Sequence, residues 1–218
     1  MIKAVLWDVD GVLIDTAPFH YQAWRTLFAS LGKELSRAEF LKTFGLRNDD
    51  TLQSILGPLP DDRLQELGHR KEEIFREAIR GHIAPMPGAV EIVRRLRRAG
   101  VRQAVVSSAP RDNVVETLRA LSIEGEFQEL ITEEDVGRGK PDPQGYVLAA
   151  ERLGVPPSDC VVIEDAPAGV EAAKRAGARC IGLAAGRAPE ELAQADLVVG
   201  SLEDEAVNSF LGISRQGG

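Results

Sequence analysis

Residues 5–16 read VLWDVDGVLIDT. An apolar run, Val5-Leu6-Trp7, leads into three aspartates, Asp8, Asp10 and Asp15, with Gly11 among them. Carboxylates repel one another and are poor strand formers. Two of them one residue apart, directly after an apolar strand, therefore call for a chemical reason. In extended chain, residues i and i+2 point the same way, which turns Asp8 and Asp10 toward one site. Gly11 permits a sharp turn just beyond them.

Five further short apolar runs lie downstream: RQAVVSS near residue 102, FQELIT near 127, CVVIED near 160, RCIGLA near 179 and DLVVG near 196. They are apolar on both faces, as strands covered by helices on both sides are. From residue 87 onward they alternate with helical patterns such as GAVEIVRRLRRAG and PAGVEAAKRAGA, each closed by a glycine suited to a helix C-terminus. This alternation predicts an α/β fold: a parallel-sheet, Rossmann-like core with right-handed crossovers and helices on both faces.

Residues 16–84 break the rhythm. FHYQAWRTLFASLG carries Phe19, Ala23, Leu27 and Leu31 at helical spacing. Ser36 and Glu39 form a capping-box pattern before FLKTFG. Asn48 is placed to cap DDTLQSIL, and RLQELGHRKEEIFREAI is a long amphipathic run. An all-helical cap is thus expected over residues 16–85, inserted into a catalytic core of residues 1–15 and 86–218. The proline pair in APMP, residues 84–87, suits the returning connection. The two crossings, near Thr16 and Pro85, would form a hinge.

The chain has 218 residues, 44% of them hydrophobic and 28% charged, enough for a packed core. Its net charge of -8 argues against nucleic acid or an anionic membrane as partner, while leaving room for a local positive pocket. Cys160 and Cys180, the only cysteines, sit in apolar runs and read as buried thiols with neither metal-ligand nor disulfide spacing. The start lacks a basic, long apolar signal segment and no run reaches membrane-spanning length, so a cytoplasmic protein is expected. Nothing demands a second copy, and a monomer is expected. The terminal SRQGG is polar and glycine-rich, as a frayed end is.

In a parallel sheet, ligands bind at the carboxyl ends of strands. Four strand ends then fall together. They carry Asp8 and Asp10, then Ser107 and Ser108, then Lys140 in GKPDP, then Glu164 and Asp165. Acids of this kind hold Mg²⁺ through hard oxygen ligands. A hydroxyl and an ammonium bind phosphate oxygens. A carboxylate can attack phosphorus and become an aspartyl-phosphate.

The four motifs DVDGVLIDT, VVSS, GKPDP and IEDAPAG, in that order over nearly the whole chain, resemble those of the haloacid dehalogenase superfamily. The branch with a small helical cap inserted after the first motif fits best, that of the β-phosphoglucomutase-like enzymes and sugar-phosphate phosphatases. The resemblance implies that Asp8 is the nucleophile and Asp10 the general acid and base. Ser107 and Lys140 would hold the transferring phosphoryl oxygens, and Lys140 would also offset the charge on Asp8. Asp165, with Glu164, would anchor Mg²⁺, joined by Asp8 and the main-chain carbonyl of Asp10. Two repelling acids are then tolerated because a dication neutralises one and the other needs a proton. An aspartate at position 10 points to oxygen-ester phosphates, since dehalogenases and phosphonate hydrolases of the superfamily do not normally carry it.

Other residues read more plainly. Asp15 is expected to fix the hinge or cap the helix beginning near Thr16. Ser108 reads as a local hydrogen-bonding residue more than a ligand. Asp142 is expected to cap the following helix. Glu164 is either a metal ligand or a group that holds one, and Gly169 permits close helix packing.

Substrate choice falls to the cap. His20 and Trp24 share a helix face. DTAPFHYQAW is similar to the mutase-type pattern D-T-A-x-x-H-x-x-A-W, and Lys71 matches a cap lysine of that branch. In GLRNDDTL, Arg47 stands one position early and Asn48 occupies the slot expected for an arginine. After the second motif, Ser107-Ser108-Ala109-Pro110-Arg111 lacks the hydroxyl and lysine with which mutases grip a second phosphate; Arg111 either restores that charge or is a solvated first-turn residue. The expectation is a Mg²⁺-dependent phosphatase acting on a small phosphorylated metabolite of the sugar or polyol class. The alternatives are a phosphoglucomutase-type mutase and a non-catalytic scaffold binding a phosphate ligand or a protein.

Overall fold

The computed structural model describes residues 2–82 and 84–213. Six strands form one parallel sheet: β1 (Ala4–Trp7), β2 (Arg102–Val106), β3 (Glu129–Ile131), β4 (Cys160–Glu164), β5 (Arg179–Leu183) and β6 (Leu197–Val199), in the order β3-β2-β1-β4-β5-β6. All six coincide with the apolar runs. β1 pairs on one side with β2 (Trp7 beside Val105) and on the other with β4 (Trp7 beside Ile163). The strand order reverses between β1 and β4, which opens a crevice at their carboxyl ends.

Alternation within the strands divides the core in two. Val5, Trp7, Val105, Val161 and Ile163 pack against Ile92, Val93 and Leu96 of α5 (Ala89–Arg98), Val114 and Leu118 of α6 (Arg111–Ala120), and Val207 and Leu211 of α9 (Glu205–Leu211). Ala4, Leu6, Ala104, Val106 and Val162 pack on the other face against Tyr146, Ala149 and Ala150 of α7 (Gln144–Leu153) and Val170, Ala172 and Ala173 of α8 (Pro167–Arg175). This two-sided burial is why the strands read as unbroken apolar runs. Trp7 is fully buried, and its indole N–H donates to the buried Gln103 side chain at 3.0 Å, satisfying both polar groups.

Between β1 and α5 lie four helices, α1 (Ala17–Ser30), α2 (Arg37–Thr43), α3 (Asn48–Leu56) and α4 (Asp61–Ile79). They share an apolar cluster of Trp24, Leu27, Phe28, Leu35, Phe40, Phe44, Leu52, Leu64 and Leu67. Ser36 and Glu39 do form the capping box of α2. The chain leaves and returns at one point: Ile14 bridges Pro85, and the Met86 N–H donates to the Leu13 carbonyl at 3.0 Å.

Two local expectations require correction. Asn48 does not cap α3; it is the first helical residue, Arg47 stands at the cap position, and no side chain caps there. The Asn48 amide is drawn away to Glu72 at 3.0 Å, a buried partner that a cap bond cannot match. Asp15 is exposed and does not cap α1, whose cap position is Thr16, again without a side-chain cap bond. By contrast, Asp142 accepts the Gln144 N–H at 3.0 Å at the start of α7. The expected fraying of SRQGG falls on residues 214–218, outside the described residues. Among those, no helix is long and apolar enough to cross a membrane. Cys160 and Cys180 are buried free thiols.

Candidate active site

Asp8 follows the last residue of β1 and Glu164 is the last residue of β4, so the crevice between these strands places two carboxylates side by side. Lys140 enters from the loop after β3. Its Nζ donates to Asp8 Oδ1 at 2.5 Å and to Glu164 Oε1. Tyr146 of α7 donates its hydroxyl to the same Glu164 oxygen at 2.8 Å. The other oxygen, Oε2, accepts the backbone N–H groups of Asp165 at 2.9 Å and Ala166 at 3.0 Å. Four donors thus fill the lone pairs of Glu164, which explains how a charged group tolerates 1% exposure. Room for this carboxylate comes from Gly169: a Cβ there would lie 1.8 Å from Glu164 Oε1.

One acid lacks such support. Asp165 Oδ1 is buried with no hydrogen-bond partner among the described residues. Oxygens of Asp8, Glu164 and Asp165 lie within 4.8 Å of one another. Gly11, at φ +84°, brings its backbone against Asp165; a Cβ there would come within 2.3 Å of Oδ2. Burial raises the Asp165 carboxyl well above the ordinary value, Glu164 and Asp8 push the same way, and Arg187 opposes them. Burial also pushes Asp8 up to about 8, against the pull of Lys140 and with Glu164 and Asp10 adding to the rise. Burial works against the charge on Lys140, but Asp8 and Glu164 outweigh it and hold the ammonium above its usual range. With all three acids ionised the cluster would carry more negative charge than Lys140 balances, which together with burial is why Asp8 and Asp165 hold their protons so strongly. An orphaned carboxylate oxygen with two acids in reach is a donor set for a hard cation.

Asp10 faces the helices. Its Oδ1 accepts the Thr16 hydroxyl at 2.5 Å and lies 3.2 Å from His20 Nε2. Burial alone would raise this acid; His20 and the bonds from His20 and Thr16 overcome it and hold the carboxyl at about 2. His20 Nδ1 lies 2.8 Å from Lys71 Nζ. An ammonium donating to Nδ1 puts the imidazole proton on Nε2, facing Asp10. His20 stacks on Phe75 with ring centres 3.9 Å apart, and Lys71 sits over the rings of Trp24 and Phe75 at 5.3 and 5.2 Å. Lys71 also donates to Glu72 Oε1 at 2.7 Å. Asn113 of α6 donates to Glu72 Oε2 at 2.6 Å, tying α4 to the sheet-bearing part.

One cavity of about 470 Å³, including its open mouth, is bounded by Asp8 and Asp10 together with His20, Trp24, Asn48, Lys71, Glu72 and Ser108. Ser107, Arg47 and Arg111 lie outside this lining. Ser107 is buried at the end of β2, where its hydroxyl accepts the Ala109 N–H at 3.1 Å. Ser108 donates across to the Gly45 carbonyl at 3.0 Å. Arg47 turns toward the carbonyls of Glu133, Val136 and Gly137. Arg111 is held by Asp135 at 2.6 Å and the Leu130 carbonyl at 3.1 Å, so it does not restore a cation to the cavity.

Four groups not singled out in the sequence complete the picture: Tyr146, Glu72, Asn113 and Arg187. Arg187 donates to the Asp165 carbonyl at 2.9 Å and to the Leu41 carbonyl of α2 at 3.4 Å, linking the acidic loop to the helices. The spacing of Leu64, Leu67, Gly68, Lys71, Phe75 and Ile79 puts Lys71 on the buried face of α4, a signal readable in the sequence; Tyr146, Asn113 and Arg187 have no such pattern.

A Rossmann-ordered parallel sheet with buried aspartates at its switch point and a helical insertion after β1 defines a class of α/β hydrolase. A model of the haloacid dehalogenase-like hydrolase family matches residues 2–177, and the chain belongs to this family. It is 36% identical over 216 residues to validoxylamine A 7'-phosphate phosphatase of Streptomyces hygroscopicus subsp. limoneus, covering 94% of this chain and 96% of that protein. It is 32% identical over 212 residues to β-phosphoglucomutase of Bacillus subtilis, covering 93% and 91%. The crystal structure of β-phosphoglucomutase from Clostridium difficile superposes with a TM-score of 0.88 at 26% identity, covering 97% of this chain and 98% of that one.

Proposed function

We propose that this chain is a Mg²⁺-dependent phosphatase that hydrolyses a small phosphomonoester of the sugar or polyol class through an aspartyl-phosphate on Asp8. The observation that carries the reading is the buried Asp8–Lys140–Glu164 network beside the partnerless oxygen of Asp165. Asp8, Asp165 and the main-chain carbonyl of Asp10 would hold the cation, with Glu164 positioning Lys140 and the 165–166 backbone. When bound, Mg²⁺ shields Asp8 from the anionic phosphate and stabilises charge on the transferring oxygens.

In the first step an Asp8 carboxylate oxygen attacks phosphorus. The ester P–O bond breaks, and the leaving oxygen takes a proton from Asp10. In the second, water attacks the aspartyl-phosphate and gives its proton to Asp10, releasing phosphate and the Asp8 carboxylate. Lys140 offsets the charge of the Asp8 carboxylate before the attack and again when hydrolysis releases it. With His20 and Thr16 on it, Asp10 is a base in this arrangement; once these contacts yield to the substrate, it takes up a proton from solvent or from the phosphate monoanion and passes it to the leaving oxygen, and the attacking water restores that proton in the second step. The reading divides the chain into a core of residues 1–15 and 86–218 and a cap of 16–85. The apolar cluster private to α1–α4 supports that division.

Release of phosphate from p-nitrophenyl phosphate should require Mg²⁺, cease with EDTA and be lost in Asp8→Asn; hydrolysis that survives Asp8→Asn would overturn the covalent route. The similarity to β-phosphoglucomutase favours a second reading as a mutase. Incubation with β-glucose 1-phosphate and a trace of the 1,6-bisphosphate separates the two: glucose 6-phosphate accumulating without matching free phosphate would establish the mutase.

A further inference from the structure

The cavity that holds Asp8 and Asp10 has a second wall, contributed by the helices. Among the described residues, Lys71 is the one lysine or arginine that lines it. Two of its three N–H donors are taken, by His20 at 2.8 Å and Glu72 at 2.7 Å, its charge is offset by the Glu72 carboxylate, and it lies over two aromatic rings. The neighbouring cations point elsewhere, Arg47 to the carbonyls of residues 133–137 and Arg111 to Asp135. The charged group this wall leaves facing a substrate is an acceptor. Glu72 is 4% exposed and lines the cavity. Its Oε1 takes Lys71 and Asn48, and its Oε2 takes Asn113 alone, which leaves an acceptor direction on Oε2. Burial works against ionisation of Glu72, yet Lys71, His20 and the amide donors keep it below its usual range, so the charge persists. Asn48, with one N–H on Glu72, adds a carbonyl oxygen.

We propose that Glu72 and Asn48 are specificity-determining residues: they select phosphomonoesters whose far end carries hydroxyl or ammonium donors and reject those with a second phosphate or a carboxylate. The inference rests on the phosphatase reading above. Its physical basis is that a second anion would enter against a buried carboxylate whose charge already offsets the one lysine of the lining, an unfavourable juxtaposition that discriminates between ligands of equal size. A hydroxyl or ammonium group meets acceptors already in place.

Competition against p-nitrophenyl phosphate hydrolysis, at saturating Mg²⁺, gives an inhibition constant for each probe whether or not it is turned over. Glucose 6-phosphate, sorbitol 6-phosphate and glucosamine 6-phosphate should compete at least about 30-fold more tightly than 6-phosphogluconate and fructose 1,6-bisphosphate. Glu72→Gln removes the repelling charge and should shrink that gap to below about 5-fold. Asn48→Arg, a helix-end change that leaves Glu72 in place, should shrink it as well. Equal inhibition by both groups, preference for the doubly anionic probes, or failure of all five to compete would overturn the inference. So would an unchanged gap in Asn48→Arg and in a folded Glu72→Gln. Absence of p-nitrophenyl phosphate hydrolysis in the wild type would instead overturn the phosphatase reading.

Discussion

Two clusters of buried charge face each other across the cleft, and they are held differently. Around Asp8, Lys140, Glu164 and Tyr146 the donors and acceptors come from strand ends and the loops and helix directly after them. Around His20, Lys71 and Glu72 they come from helix faces, fixed by His20 stacking on Phe75, by the Lys71 ammonium over Trp24, and by contacts to Asp10 and Asn113 of the sheet-bearing part. The sheet pins the first cluster at several places along its backbone. The second is pinned by side chains alone. A rigid strand edge suits chemistry shared by many substrates, whereas helix faces can change side chains without moving Asp8.

The largest test of this contrast removes Lys140. Lys140→Ala leaves Asp8 and Glu164 buried without their shared cation, and breaking a buried pair costs about 3–5 kcal/mol. Denaturant unfolding should show that loss, and turnover of p-nitrophenyl phosphate should fall by about 10³-fold or more. Glu72→Ala should destabilise the fold less if the helical cluster is the more adaptable; an equal loss would erase the distinction.

Proton linkage probes the sheet side next. Asp8 is raised from 3.8 to about 8, so without a divalent cation the folded state keeps a proton that the unfolded chain has released. Stability of the metal-free protein from this group is fully present below the unfolded value and falls as pH rises from about 4 to about 8. A cation must displace that proton, so apparent Mg²⁺ affinity should rise about tenfold per pH unit well below pH 8 and level off there, about 50-fold in all from pH 6 to pH 8. Melting temperatures with and without Mg²⁺ at the two pH values check both signs.

On the helical side, His20→Ala should lower kcat by roughly 10- to 100-fold, part of what a positioned acid–base pair supplies, with a smaller change in stability than Lys140→Ala. Initial rates measured beside denaturant curves separate the two effects. The smallest effect is expected from Tyr146→Phe, which removes one of four donors to Glu164 and should cost about 1–3 kcal/mol. Calorimetry would detect it, and no loss would mean that Glu164 is over-supplied with donors.

The same contrast explains what the sequence disclosed. All six strands were legible because two-sided burial leaves unbroken apolar runs, and the strand-end acids followed from parallel topology. The helical side was legible only in part. His20, Trp24 and Lys71 were found by pattern, but Glu72 beside Lys71 looks like any charged helix residue until α6 brings Asn113 to it. Arg47 and Arg111 were natural candidates for the cavity because both are cations near it in sequence. Backbone carbonyls and Asp135, remote in sequence, claim them instead. Asn48 differs from its expected role as a cap for the same reason: its partner lies 24 residues away.

The bridge between Ile14 and Pro85, with Met86 bonded to Leu13, means the helical insertion is attached through a single adjacent pair of chain ends. An engineered exchange of one insert for another need match only that one gap, and a short turn could close it. The sheet would then stand as a bare scaffold onto which a different recognition module is grafted, with selectivity rewritten and the phosphorus chemistry left in place.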